Sequence, residues 1–151
     1  MTNITLQKIT RDNWRQATKL AVHEYQKGFV APNLHSIAEA QFYPTWVPLA
    51  IYNAAGTMVG FVMYGTDDDS SPGDWWIIRL MIDQAHQQQG YGQAAMAAVL
   101  ARLKGFPDIK NILLSYEPEN EVAAKFYANF GFEDTGRIEY GEKVVRLKVR
   151  G

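Results

Sequence analysis

The run Trp75-Trp76-Ile77-Ile78-Arg79-Leu80-Met81-Ile82 is apolar except for Arg79, and the bend Gln87-Gln88-Gln89-Gly90-Tyr91-Gly92-Gln93 follows closely behind it. A continuous apolar run of this kind reads as a central strand buried on both faces. Beyond the bend, Met96, Val99, Leu100 and Leu103 fall at i, i+3, i+4 and i+7, so a helix beginning near Gly90 has one apolar face. Two glycines between strand and helix let the backbone approach a ligand closely. The start of a helix leaves N–H groups without partners, and those donors together with the helix dipole favour an anion such as a pyrophosphate. The three glutamines bring no charge to compete with it. The plain alternative is a glycine-softened helix start with no ligand.

On the N-terminal side, Ile4 to Ile9 alternates and reads as a short strand. Thr10 or Asp12 is placed to cap a helix from about Asn13 to Gln26, with Trp14, Ala17, Ala21 and Tyr25 along one face. Asn33 or Ser36 starts a shorter helix through about Phe42. Leu49 to Tyr52 and Met58 to Tyr64 are apolar and joined by Asn53-Ala-Ala-Gly56, a hairpin signal. Asp67-Asp68-Asp69 with Pro72-Gly73 reads as a solvated loop. On the C-terminal side come a strand Asn111 to Tyr116, a helix Asn120 to Phe130 stopped by Gly131, and strands near Phe132 to Ile138 and Lys143 to Val149. The order β-α-α-β-β-β-α-β-α-β-β predicts an α/β (α+β) fold, a mixed sheet with helices on its faces rather than a bundle or sandwich.

The chain has 151 residues, enough for one domain with a substantial core. With 47% hydrophobic and 21% charged residues it is composed like an ordinary globular protein, not a disordered one. The uncharged stretch Phe42 to Thr66 is broken by Pro44, Pro48, Asn53 and Gly56, so no membrane span is expected. The first residues lack the basic-then-apolar layout of a signal peptide, and a cytoplasmic location is the expectation. There is no cysteine, hence no disulfide, thiol nucleophile or thiolate metal site. A net charge of −1 gives no basic surface for nucleic acid. His23, His35 and His86 show no metal-ligand spacing, and no metal is expected.

Three anion-binding motifs compete for the glycine bend. A P-loop is excluded because no lysine follows the glycines. Gly90-Tyr-Gly92-Gln-Ala-Ala95 fits the dinucleotide pattern on paper, with Glu117 25 residues past Gly92. That motif belongs directly after its strand, whereas seven residues, Asp83 to Gln89, intervene here. The third is an acyl-coenzyme A site. Gln87-x-x-Gly90-x-Gly92 resembles the coenzyme-A motif of the GNAT superfamily of N-acetyltransferases, and Asn120-Glu-Val-Ala123-Ala-Lys-Phe126-Tyr127-Ala-Asn-Phe-Gly131-Phe132 resembles that superfamily's following motif. Phe29-Val-Ala-Pro-Asn33, Ser36-Ile-Ala-Glu39-Ala, Arg79-Leu-Met-Ile-Asp83 and Ser115-Tyr-Glu-Pro-Glu-Asn120 are similar to stretches of bacterial spermine/spermidine (diamine) N-acetyltransferases.

The resemblance implies a single GNAT-like domain over residues 1–151. Its sheet would be mixed, mostly antiparallel, with six to seven strands flanked by about four helices. It implies acetyl-CoA as co-substrate and a small-molecule amine, a polyamine, as acceptor. Backbone amides of Gln88 to Gln93, with Gln87 in the same motif, would hold the pyrophosphate. Backbone groups of Leu80, Met81 and Ile82 would meet the acetyl and pantetheine parts, as a fixed oxyanion-type donor does.

Tyr127 occupies the tyrosine position of the second motif; a tyrosine with a pKa of about 10 is neutral at pH 7 and can protonate a thiolate. On spacing alone it reads first as a core aromatic beside Phe126 and Phe130, and the paired motif reverses that preference. Asn120 reads as a helix N-cap, and the resemblance adds a polar contact with the cofactor. A free alkyl amine of pKa about 10.4 is only ~0.1% neutral near pH 7.4, so a base or a water relay is needed. Ser115 and Glu117 share one face of a strand end. Ser115 is no strong base by itself, which implies a more distant carboxylate or a water chain, with Glu117 as the sequence-local option and otherwise an exposed residue.

For the acceptor, Glu24 and Glu39 fall in the first two helices, where the superfamily builds its acceptor wall, with Tyr25, Phe42 and Trp75 as aromatic lining. Each glutamate is also readable as a solvated helix residue. Arg79 pairs with an acid or reaches the acceptor side. Other acceptors (a protein N-terminus, an amino acid, an antibiotic amine) and a non-catalytic acyl-CoA-binding module stay open. So does a homodimer through the valine-rich C-terminal strand, read as an exposed edge.

Overall fold

The computed structural model describes residues 2–150. Seven strands and four helices follow in the order β1 (Ile4–Lys8), α1 (Trp14–Lys19), α2 (Asn33–Ala40), β2 (Val47–Asn53), β3 (Met58–Gly65), β4 (Asp74–Ile82), α3 (Tyr91–Lys104), β5 (Asn111–Tyr116), α4 (Glu121–Asn129), β6 (Glu133–Glu139) and β7 (Glu142–Lys148). The strands form one sheet in the order β1-β2-β3-β4-β5-β7-β6. Every pairing is antiparallel except β4 with β5.

The sheet carries a core on each face, and β3 supplies both. Its residues are buried at every position. Val59, Val62 and Tyr64 join Ala95, Met96, Val99, Leu100 and Leu103 of α3, while Phe61 and Met63 turn the other way toward Val22 and Ile37. The apolar stripe read in the sequence of α3 is thus the stripe that packs on the sheet. Asn120 caps α4 by accepting from the Ala123 amide at 3.1 Å, and Gly131 takes φ +94 just past the helix.

Three expectations need correction. The first helix ends at Lys19 instead of running to Gln26, and Leu20 is already extended. Asp83 intervenes: its carboxylate accepts from the Ala21 amide at 2.9 Å, and the Ala21 carbonyl accepts from the Gln84 amide at 2.8 Å. Those tertiary bonds satisfy groups that the helix would otherwise use. A separate 3-10 turn then covers Glu24–Gln26.

Second, β4 is fourth of seven strands, yet only Ile77 and Met81 in it are buried. Its far half has no strand on one side. Third, the C-terminal strand β7 is not an edge, because it lies between β5 and β6. The edge strand is β6, polar and interrupted by a register irregularity between Asp134 and Ile138. Such a bulged, charged strand is poorly suited to pairing with another chain.

Candidate active site

The opening beside β4 has a visible cause. Met63 pairs with Arg79 but its neighbour Tyr64 pairs with Ile77, so Ile78 is an extra residue bulged out of the ladder. A bulge bends its strand and adds twist. After the short parallel ladder of Asp74–Trp76 with Asn111–Leu113, β4 and β5 part company. β5 stays paired to β7 along its whole length, from Asn111 to Tyr116. A V-shaped cleft results, with Ile77 to Ile82 on one wall and Leu114, Ser115 and Tyr116 on the other. It opens into a cavity of about 1380 Å³.

The glycine bend closes one end of this cleft. Gln88 has φ +62 and Gly90 φ +85, left-handed values that turn successive amides toward one side. At Gly90 the conformation itself calls for glycine. Among the described residues, no backbone N–H from Gln88 to Gln93 has a protein acceptor, and the last three of these groups open the 14-residue helix α3. Such a cradle of free donors at a helix N-terminus suits a diphosphate.

Gln87, Gln88, Gly90, Tyr91, Gly92 and Asn120 line the cavity, as do Leu80, Met81 and Ile82. The side chains of Gln89 and Gln93 are exposed and do not line it, so only their main-chain groups can take part. The Gln87 amide donates to the Ile82 carbonyl at 2.9 Å and exchanges hydrogen bonds with the Gln26 amide at 2.9 and 3.2 Å. This residue therefore ties the bend to the end of β4 and to the 3-10 turn.

Tyr127 reaches the cleft from α4, packed among Phe126, Tyr116 and Phe132 at ring-centroid distances of 5.3, 5.9 and 6.1 Å. Burial pushes its pKa up to about 12, helped by the nearby charge of Glu142 and by Tyr116. Core packing and a place in the cavity wall are thus compatible for this ring. Next to Tyr116 on β5, the Ser115 hydroxyl donates to the Glu142 carboxylate at 2.7 Å. Both residues line the cavity; Glu117 does not. The sequence offered Glu117 as the local carboxylate for Ser115. Glu142 is the residue that fills that role in geometry, delivered by the antiparallel pairing of β5 with β7, where Tyr116 faces Lys143.

The other end of the cavity is aromatic and acidic. Trp46 and Trp76 line it with Asp67 and Glu39, while Tyr25 and Phe29 line the cavity from in and beside the 3-10 turn tied to the bend. The Trp46 indole donates to the Thr66 carbonyl at 2.7 Å and stacks on Tyr43 at 4.1 Å, which fixes its ring. Glu39 accepts from Arg79 at 3.2 Å inside the cavity, so the lone charge of the apolar run meets one of the expected acceptor carboxylates.

Other expected acceptor residues lie elsewhere. Glu24 points into solvent, its side chain 88% exposed and paired with Lys27 at 2.8 Å. Trp75 falls on the opposite face of β4, in the core beside Tyr64 and Phe106, and strand alternation gives its place to Trp76. Phe42 is exposed outside the cavity. No group of three or more His, Asp or Glu side chains able to hold a metal ion occurs among the described residues, and no described helix is long and apolar enough to cross a membrane.

Comparison with known proteins bears on this site. The family described as "Acetyltransferase (GNAT) family" matches residues 6–132. A spermine/spermidine N(1)-acetyltransferase of Bacillus subtilis (strain 168) is 30% identical over 148 residues, covering 95% of this chain and 97% of that protein. The crystal structure of a spermidine N-acetyltransferase from Vibrio cholerae, in complex with CoA and spermine, superposes with a TM-score of 0.77 at 17% identity, covering 96% of this chain and 95% of that one. An aminoglycoside acetyltransferase in complex with coenzyme A gives a TM-score of 0.80 at 16% identity, covering 97% and 95%. At such identities these two structures speak for the fold alone.

Proposed function

The chain belongs to the acetyltransferase (GNAT) family, and we propose that it transfers the acetyl group of acetyl-CoA to a primary amine of a small polyamine by direct attack in a ternary complex. The reading is of one catalytic domain over residues 1–151, acting in the cytoplasm and needing no metal. The observation that carries it is the cleft between β4 and β5. One cavity joins a free-amide cradle, Tyr127, the Ser115–Glu142 pair and an acidic, aromatic wall.

The chemistry runs as follows. Main-chain amides of Gln88 to Gln93 hold the pyrophosphate, and the open edge of β4 at Leu80, Met81 and Ile82 receives the pantetheine arm and the thioester carbonyl. Asn120 adds a polar contact through the part of its amide not used in capping. The amine nitrogen attacks the carbonyl carbon, a C–N bond forms and the C–S bond breaks. The proton lost by the amine passes to the Ser115 oxygen as the serine proton moves onto Glu142. Tyr127 gives its proton to the departing thiolate. A tyrosine pKa of about 12 keeps the donor protonated throughout the physiological range, and the same burial raises the basicity of the thiolate it serves.

Acidic and aromatic groups suit a flexible polycation, since carboxylates meet its ammonium groups and ring faces meet both cation and alkyl spine. Turnover of acetyl-CoA, followed as free thiol with spermidine, spermine and putrescine, tests this reading. Release of thiol that depends on these amines is the expected outcome; acetyl-CoA binding with no transfer to any amine would leave only an acyl-CoA-binding module.

One observation favours a second acceptor class. Arg79 in the cavity wall, where it donates to Glu39 at 3.2 Å, suits an amine that also bears a carboxylate, as an amino acid does, if that carboxylate takes the place of Glu39. Competition across an amine panel separates the two.

A further inference from the structure

The tip of the β6–β7 hairpin holds a tyrosine where the backbone disfavours one. Glu139 pairs with Glu142, so the loop is the two residues Tyr140 and Gly141. Both have positive φ, +51 and +81. A two-residue turn of this hand matches the twist of its strands but is normally filled by Asn, Asp or Gly. Gly141 meets that demand; Tyr140, with a Cβ and a large ring, does not.

Packing does not explain the choice either. Tyr140 is 102% exposed and stacks on no aromatic neighbour among the described residues. Yet it lines the same cavity as Glu142, the carboxylate bound to Ser115. Its other neighbour, Glu139, is engaged by Arg137, which leaves Glu142 as the nearby carboxylate with no cation on it.

We propose that Tyr140 is a specificity-determining residue, kept in a strained position so that its ring closes over the alkylammonium chain of the acceptor at the cavity rim. Strain of this sort at a non-glycine residue persists where function uses it. The ring offers an electron-rich face to an ammonium group and an apolar surface to the methylenes beside it. The inference rests on the polyamine reading of the cavity, and it adds the residue that senses chain chemistry beyond the reacting nitrogen.

The test uses the full chain with Tyr140→Asn and Tyr140→Phe, melting curves, and KM for spermidine and for acetyl-CoA. Asparagine tolerates the left-handed conformation, so that variant is expected to melt a few degrees higher. Its KM for spermidine should rise about fivefold, the loss of one cation–π contact, with KM for acetyl-CoA unmoved. Tyr140→Phe keeps the ring and should restore the spermidine KM. A Tyr140→Asn protein with an unaltered spermidine KM overturns the proposal, as does a rise in KM for acetyl-CoA of the same size. A change confined to oligomeric state would assign the ring to a protein contact instead. If the parent protein acetylates no polyamine, the polyamine reading itself has failed, and that is visible before any variant is made.

Discussion

Tyr127 and Glu142 face one cleft, near enough for the carboxylate to help raise the tyrosine pKa, and their roles make separable demands. Replacing Tyr127 by Phe should lower kcat about 10²-fold, the scale of one lost general acid, with little change in KM for acetyl-CoA. Glu142→Gln should lower kcat by a similar factor and weaken the rise of kcat/KM with pH, because the amine loses its proton acceptor. Tyr127 also leaves a mark on stability. Its folded pKa is raised to about 12 from the ordinary tyrosine value of about 10. Between those values the folded protein holds a proton that the unfolded chain has released, so stability falls as pH rises from 10 to 12 and is flat below. The loss attributable to this group is roughly 3 kcal/mol. Urea melts of Tyr127→Phe beside the parent at pH 9 and pH 11.5 should show the variant losing less.

These two residues also mark how far sequence reaches at this scale. Tyr127 was legible because motif and helix spacing place it locally. Glu142 was not, because it meets Ser115 across 27 residues through strand pairing, and no local pattern encodes that distance. Glu24 and Trp75 erred for a related reason: a helix that stops early and the alternation of a strand decide where those side chains point.

Among the elements, the α3 stripe, the β2–β3 hairpin and the α4 cap follow from local pattern, and the structure has them. The bulge at Ile78 and the early end of α1 do not. The bulge is a matter of register between two strands, and the early end of α1 arises where a tertiary partner replaces a local hydrogen bond. Asp83 is such a partner, so Asp83→Ala should destabilise by about 1–3 kcal/mol, the cost of leaving the Ala21 amide without its acceptor, as measured by denaturant melts. The glycine bend makes its own prediction. Gly90→Ala puts a Cβ on a φ of +85 and 3.0 Å from Thr2 Oγ1. It should cost about 1–2 kcal/mol and weaken coenzyme A binding in calorimetry, while the amine KM stays the same.

On the scale of the whole molecule, net charge says little, for −1 spread over the surface neither attracts nor repels a polycation. The local arrangement says more. Glu39, Asp67, Glu119, Glu121, Glu139 and Glu142 line the cavity against Lys27 and Arg79. Raising ionic strength from about 0.05 to 0.5 M should therefore raise KM for spermine several-fold, and for the less charged putrescine by less.

The parting of β4 and β5 has a further consequence. A sheet normally shelters its middle strands best and frays at its margins. Here the margin has been moved inside, since the outward amides of Ile77 to Ile82 and of Leu114 to Tyr116 face a gap. In deuterated solvent those central amides should exchange faster than their depth in the fold suggests, and slow sharply once coenzyme A lies between the strands, with the β2–β3 pairing as an unchanging reference. The interior of this protein would then be completed by its substrate.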